Sequence, residues 1–229
     1  MSDRGESGAG VSPTVAALFV EGRGPYSGLL DVDCWPIDRD ARLYPGPLPV
    51  VAHPPCAWWC RLAKFVESRG GAPVGADEGT FAAALAAVRR WGGVLEHPAW
   101  SLAWAAHDLV PPPAFGWART LDGGWVCEVS QAAYGHRAPK ATWLYYVGAP
   151  PPPALDWSRP ACEMTTTTSR RVNGRRVEMQ DKSERARTPI PFRDVLLRIA
   201  RASQGITEPA STTNTTTEAN EPQKATNDL

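Results

Sequence analysis

Apolar residues along this chain come in short runs, each closed by glycine, proline or a charged residue. "TVAALFV" (residues 14–20) and "LPVVAH" (48–53) are continuous apolar runs of the length expected for buried strands. In "TFAAALAAVRRWG" Phe81, Leu85 and Val88 recur at i, i+4 and i+7 among alanines. This spacing predicts a helix, and Gly92 and Gly93 should stop it. "GVLEH" is a third strand, ended by Pro98, and "AWSLAWAAHDL" a short amphipathic helix. "GGWVCEVSQ" and "ATWLYYVG" are aromatic and β-branched and read as further strands. The chain then stiffens at Pro150–Pro153 and closes with a helix in "IPFRDVLLRIARA", whose Phe192, Val195, Leu196 and Ile199 share one face. Between the first two strands, "DVDCWPIDRDARLYPGP" reads as mostly irregular.

Strands alternating with helices imply an α/β domain: a Rossmann-like, mostly parallel sheet flanked by helices. Composition sets its limits. Residues 1–12 and 203–229 are polar and lack the apolar content to offset their ordering entropy, so both are expected to be disordered. One compact domain is left, over residues 13–202, long enough for a substantial core. No apolar run approaches 18 residues and no charged leader precedes one. These absences point to a soluble, cytoplasmic protein without a membrane partner. Five cysteines in 229 residues suit free thiols better than a disulfide framework.

Charge is zero overall but uneven. Residues 169–201 contain ten Lys or Arg (170, 171, 175, 176, 182, 185, 187, 193, 198 and 201) against four acids (178, 181, 184 and 194). This local excess is either a phosphate-facing surface or a solvated arm.

In open α/β sheets ligands gather beyond the carboxyl ends of the strands. Two unusual strand ends fall there. "PVVAHPPCAWWC" ends a buried strand in two prolines and a cysteine, and "VLEHP" ends the next strand in an acid. A strand–helix–strand unit would set Cys56 and Glu96 on one rim. A thiolate can add to an electron-poor ring carbon, while a nearby acid neutralises or hydrogen-bonds the ring nitrogen. Two other readings stay open for Cys56. It could be a small residue packed in a proline corner. It could instead be a metal ligand, since His53, Cys56 and Cys60 have ligand-like spacing that His97 or His136 could complete. The zinc deaminase pattern is absent, because Cys56 and Cys60 are three residues apart rather than two. Trp58 and Trp59 are candidates to stack a base, with one of the pair expected in the core.

These segments resemble, in order, those of the cytosine-C5 DNA methyltransferases, in a compact, divergent form of the kind carried by phages and prophages. "VVAHPPC" resembles the family's Pro-Cys nucleophile loop and "GGVLEHP" the strand that ends in its catalytic glutamate. "SQAAYGHRAPKATWLYYVG" is similar to the segment that leads through arginines into a Val-Gly strand, and "RARTPIPFRDVLLRIA" to the closing turn and helix. The resemblance implies that Cys56 is the nucleophile for C6 of a pyrimidine and that Glu96 contacts the N3 edge and exocyclic amine. It also implies that Pro55 shapes the loop and that Arg137 or Lys140 contacts base or phosphate. Phe19, Gly22 and Gly24 would stand in the loop for S-adenosylmethionine, with Asp31, Asp33 or Asp38 replacing the acid that holds the ribose. His97 occupies the position of the family's asparagine. The implied substrate is cytosine in DNA or a pyrimidine nucleotide. Two alternatives remain beside this one: a catalytically silent nucleic-acid-binding relative, and a zinc-dependent nucleotide-modifying enzyme.

Overall fold

A computed structural model describes residues 11–165, 170–172, 175–179, 181, 184 and 186–204, with backbone only for 37, 170–172 and 175–179. Seven strands form one sheet: β1 (Val15–Val20), β2 (Val32–Pro36), β3 (Val50–Ala52), β4 (Gly93–Pro98), β5 (Ala118–Arg119), β6 (Trp125–Ser130) and β7 (Ala141–Val147). Their spatial order is β2-β1-β3-β4-β7-β6-β5. β2, β1, β3 and β4 pair in parallel, whereas β7 is antiparallel to both β4 and β6. β6 therefore runs with the parallel set, and β7 and β5 run against it. The fold is α/β with a mixed sheet. It is less parallel than the sequence implies, because β6, β7 and β5 pair as an antiparallel meander. A second small sheet joins β8 (Met164–Thr165), β9 (Arg170–Val172) and β10 (Arg175–Met179).

Helices cover both faces of the large sheet. On one face α2 (Thr80–Trp91) and α3 (Leu102–Ala106) bury Phe81, Leu85, Val88 and Trp104 against Leu18, Val50 and Leu95. On the other, α4 (Ile190–Ala202) buries Phe192, Leu196 and Ile199 against Val15, Val51 and Val94. Alternate residues of each strand feed the two layers, so every central strand is apolar on both sides, as the continuous runs require. The short helix α1 (Ala63–Glu67) lies between β3 and α2. Among the described residues no helix is long and apolar enough to cross a membrane.

Two features differ from the sequence reading. "VDCWP" is a strand, not irregular chain. It pairs along β1 at the sheet edge, which tolerates its terminal proline. The ordered unit also runs past residue 202. Ser203 is buried with its hydroxyl donating to the Ala200 carbonyl, and the Gln204 side chain donates to the Thr14 carbonyl. The expected disorder of residues 1–10 and 205–229 lies outside the described residues.

Gly93 sets the register of the sheet centre. It pairs with Val50 at φ +112°, and a Cβ there would sit 2.0 Å from the Val50 carbonyl oxygen. Only glycine lets β4 approach β3 this closely. That approach brings the ends of the two strands together.

Candidate active site

The strand directions collect a specific set of residues at one rim. The carboxyl ends of β1, β2, β3, β4 and β6 lie there, with the amino end of the reversed β7. The chain also changes direction across the sheet at this point, since β2 and β3 flank β1 on opposite sides. Such a switch point opens a crevice beyond the strands.

Glu96 points to the α4 side of the sheet and is 8% exposed. His53, at the end of β3, places Nδ1 3.0 Å from Glu96 Oε2 and Nε2 2.8 Å from the Tyr26 hydroxyl. Gln131, just past β6, donates from Nε2 to Glu96 Oε1 (3.1 Å) and to the Thr142 hydroxyl (3.0 Å). A connected polar chain thus runs Tyr26–His53–Glu96–Gln131–Thr142 across four strand ends. Burial favours the neutral carboxyl. The hydrogen bond and charge of His53, with Lys140 and His97 beyond, outweigh it and hold Glu96 at about 2. Glu96 is therefore an anion at neutral pH, an acceptor rather than a proton donor. Each carboxylate oxygen keeps a second acceptor position for a ligand.

Cys56 follows β3 through Pro54, which is buried, and Pro55, which is exposed. Its residue is open to solvent, but crowding around the thiol raises its pKa above the ordinary value of 9.0. The Glu96 charge pushes the same way and Lys140 opposes it. Cys56 is thus a protonated thiol at rest. The next residues form a tight turn, Ala57–Trp59, that sends Trp59 into the core and leaves Trp58 37% exposed. Trp59 is anchored by Asp77, whose carboxylate accepts from its indole N–H (2.8 Å) and from the Phe81 amide at the start of α2 (2.9 Å). Cys60, expected from the sequence to be a packing residue, is exposed, with its thiol donating to the Ala57 carbonyl at 3.3 Å.

The other expected residues separate. Lys140 donates to the Arg187 carbonyl (3.3 Å), and its charge lowers the pKa of both Cys56 and Glu96. Arg137 is exposed and pairs with Glu184 (3.1 Å) and Glu163 (3.8 Å), away from that network. Phe19 packs against the α2-side core at φ +58°. Gly22 and Gly24 follow it in the loop beyond β1. A Cβ on Gly24 would lie 3.1 Å from the Glu21 side chain, so this loop is folded closely on itself. Of the three candidate acids, Asp31 pairs with Arg201 at the opposite end of β2. Asp33 accepts from Trp35 (2.9 Å) and Arg39 (2.6 Å). Asp38 stands exposed beyond the carboxyl end of β2, with no hydrogen bond or ion pair among the described residues.

The metal alternative is not assembled here. Both His53 ring nitrogens are engaged by Tyr26 and Glu96, and no group of three His, Cys, Asp or Glu among the described residues could hold an ion. The described arginines of residues 193–201 each have a partner. Arg193 donates to the Pro25 carbonyl, Arg198 to the Ala154 carbonyl, and Arg201 pairs with Asp31. The side chains of Arg170, Arg171, Arg175, Arg176, Lys182 and Arg185 lie outside the described residues.

Sequence reasoning missed Tyr26, Gln131 and Thr142, and took His53 only as a metal ligand. One signal was present: Gln131 ends a strand that runs with β4, so it reaches the same rim. Compared with known proteins, this chain matches no family model, no curated protein and no solved structure.

Proposed function

We propose that this protein is a compact, Rossmann-like enzyme that modifies C5 of a cytosine, in DNA or as a nucleotide, with S-adenosylmethionine as methyl donor. The observation that carries the reading is the placement of Cys56 just past β3 and of Glu96 in the carboxyl-terminal half of the adjacent parallel β4, with the Lys140 charge acting on both.

The roles follow from the protonation states. Cys56 loses its proton to solvent as the substrate binds, helped by the Lys140 ammonium. Its sulfur then forms a bond to C6, and the C5–C6 π electrons move to C5. The Glu96 anion accepts from the exocyclic amine and, once solvent has delivered a proton to N3, from the N3–H. His53 and Gln131 hold its two oxygens in place. After a methyl group has added at C5, solvent takes the C5 proton, its electron pair re-forms the C5–C6 double bond, and Cys56 leaves as a thiolate.

The residues beyond β1 and β2 suit a ribose-bearing cofactor, because Asp38 is an uncommitted acceptor beyond the carboxyl end of β2, whereas Asp33 and Asp31 are already bound. Asp38 would hold the ribose hydroxyls, with Phe19, Gly22 and Gly24 shaping the crevice. S-adenosylmethionine supplies an electrophilic methyl group when bound.

The test is covalent capture. Protein incubated with an oligonucleotide containing 5-fluorocytosine and with S-adenosylmethionine should gain the mass of the oligonucleotide plus a methyl group, and Cys56→Ser should not. No adduct and no cofactor binding would reject the reading. Because Cys56 is a protonated thiol at rest, a second reading survives that outcome: a nucleic-acid-binding relative without catalysis, recognised by oligonucleotide binding that Cys56→Ser leaves intact.

A further inference from the structure

Two locally unfavourable features line one cavity beside Cys56. The cavity has a volume of about 70 Å³, and Cys56, Trp59, Cys60, His97, Trp100 and Ser101 are among its lining residues. His97 follows Glu96 on β4 and so points to the opposite, α2-side face of the sheet. It is 1% exposed, and neither ring nitrogen has a hydrogen bond of good geometry, the Pro55 carbonyl acting on the ring without completing one. Its ring sits against Phe81 (5.2 Å between centroids) and Trp104 (6.3 Å). A buried polar group so poorly paired is costly, and phenylalanine would pack there without that cost. Trp100, three residues on, has φ +60°, a region that bulky L-residues avoid, yet 55% of it is exposed. Its indole meets the buried Trp143 ring at one side, 6.3 Å between centroids, and leaves the rest open. Strain of this kind persists where a site requires it. A water on His97 would satisfy the ring but would leave Trp100 unexplained.

We propose that this cavity is the ring-binding subsite of the enzyme and takes the C2-carbonyl edge of a pyrimidine. His97 donates its single imidazole N–H to the carbonyl oxygen, and Trp100 supplies the stacking face. Burial keeps His97 neutral, so it has one donor to offer. Arg137, the residue otherwise expected to meet the base, is turned to Glu184 and Glu163. The volume is too small for a whole base and suits one edge of a ring, with the rest open towards Cys56. The inference rests on the cytosine reading for its ligand but requires no covalent step.

The experiment uses the full chain carrying Cys56→Ser, so binding is read without chemistry. Titration with deoxycytidine monophosphate, and separately with a single-stranded oligonucleotide containing one cytosine, tells free nucleotide from polynucleotide by which arm binds. Trp100→Gly and His97→Phe are added singly, and thermal unfolding is measured on each. Expected are a loss of affinity of roughly tenfold or more in each variant and unchanged or raised thermal stability. That pairing separates a binding role from a structural one, because a packing residue would lose stability and leave affinity alone. Affinity equal to the parent protein in both variants, or no binding of either ligand by the parent, overturns the subsite. The two proposals fail separately: adduct formation that Trp100→Gly leaves unchanged keeps the enzyme and removes the subsite. Binding lost in Trp100→Gly with no adduct in the unsubstituted protein keeps the subsite and removes methyl transfer.

Discussion

Glu96 and His53 stand at the ends of adjacent parallel strands, and their side chains meet at 3.0 Å beneath the loop that carries Cys56. The contact ties the acid of the candidate site to the strand that presents the thiol. It also makes the acid an anion in a place where burial alone would neutralise it.

His53→Ala leaves the Glu96 carboxylate and the Tyr26 hydroxyl each short of a partner in a buried setting. A loss of about 3 kcal/mol is expected in urea unfolding at pH 7. Glu96 also fixes an acid limit. Its carboxyl titrates at about 2 in the fold, against 4.5 when exposed. Below pH 4.5 the unfolded chain binds this proton first. The contribution of Glu96, about 3 kcal/mol, is therefore present above pH 4.5 and lost as pH falls towards 2. Glu96→Gln should flatten that part of the stability–pH curve.

His97 produces a second, separate window. Burial pushes its pKa from 6.5 to about 4, against the opposing pull of Glu96, the Pro55 carbonyl and Asp77, while His53 adds to the depression. Between these values the unfolded chain holds more protons than the folded one. Stability is full above pH 6.5 and falls by about 3 kcal/mol as pH drops through 4. His97→Phe should abolish this slope in urea titrations between pH 4.5 and 6.5 and leave the Glu96 window in place.

Asp77 couples the thiol loop to α2. Its carboxylate accepts from Trp59, Thr80, Gly79 and Phe81, and the hydrogen bonds hold it ionised despite burial. Asp77→Ala strands the Trp59 indole N–H and leaves the Phe81 amide at the start of α2 without its acceptor. A cost of about 2–4 kcal/mol in chemical denaturation is expected. The turn Ala57–Trp59 should also exchange its amide hydrogens faster than in the parent protein.

Gly93→Ala drives a methyl group into the Val50 carbonyl at a φ that alanine avoids. The β3–β4 pairing must shift, with a loss of about 3 kcal/mol or more. Because that pairing aligns Cys56 with Glu96, capture by 5-fluorocytosine should fall further in this variant than the remaining folded fraction accounts for.

Cys56 has a pKa above 9.0, raised by burial and by Glu96. Alkylation by iodoacetamide, followed by peptide mass spectrometry, should be slow at pH 7 and accelerate only above pH 9. Lys140→Gln removes a cation that lowers this pKa and should move the midpoint higher still. A fast reaction at pH 7 would mean that the thiolate exists before substrate arrives.

The strands and helices that carry the core were legible because their pattern is local. Phe81, Leu85 and Val88 repeat at helical spacing, and "LPVVAH" and "GVLEH" are apolar on both faces as buried parallel strands must be. The strand–helix–strand order was enough to set Cys56 and Glu96 on one rim. β2 was hidden by the polar and proline residues that an edge strand tolerates. The direction of β7 was not legible either, because antiparallel placement between β4 and β6 depends on pairing partners far along the chain.

What the sequence determined by itself is the set of apolar runs, their breaks, and therefore which residues end strands. Only the tertiary structure decided what those residues do to each other. Glu96 and His97 are neighbours in the chain, yet the pleat sends one to His53 and Gln131 and the other into an aromatic layer. One becomes an anion near pKa 2 and the other a neutral ring near 4, because charge and burial are set by through-space neighbours that no local pattern encodes.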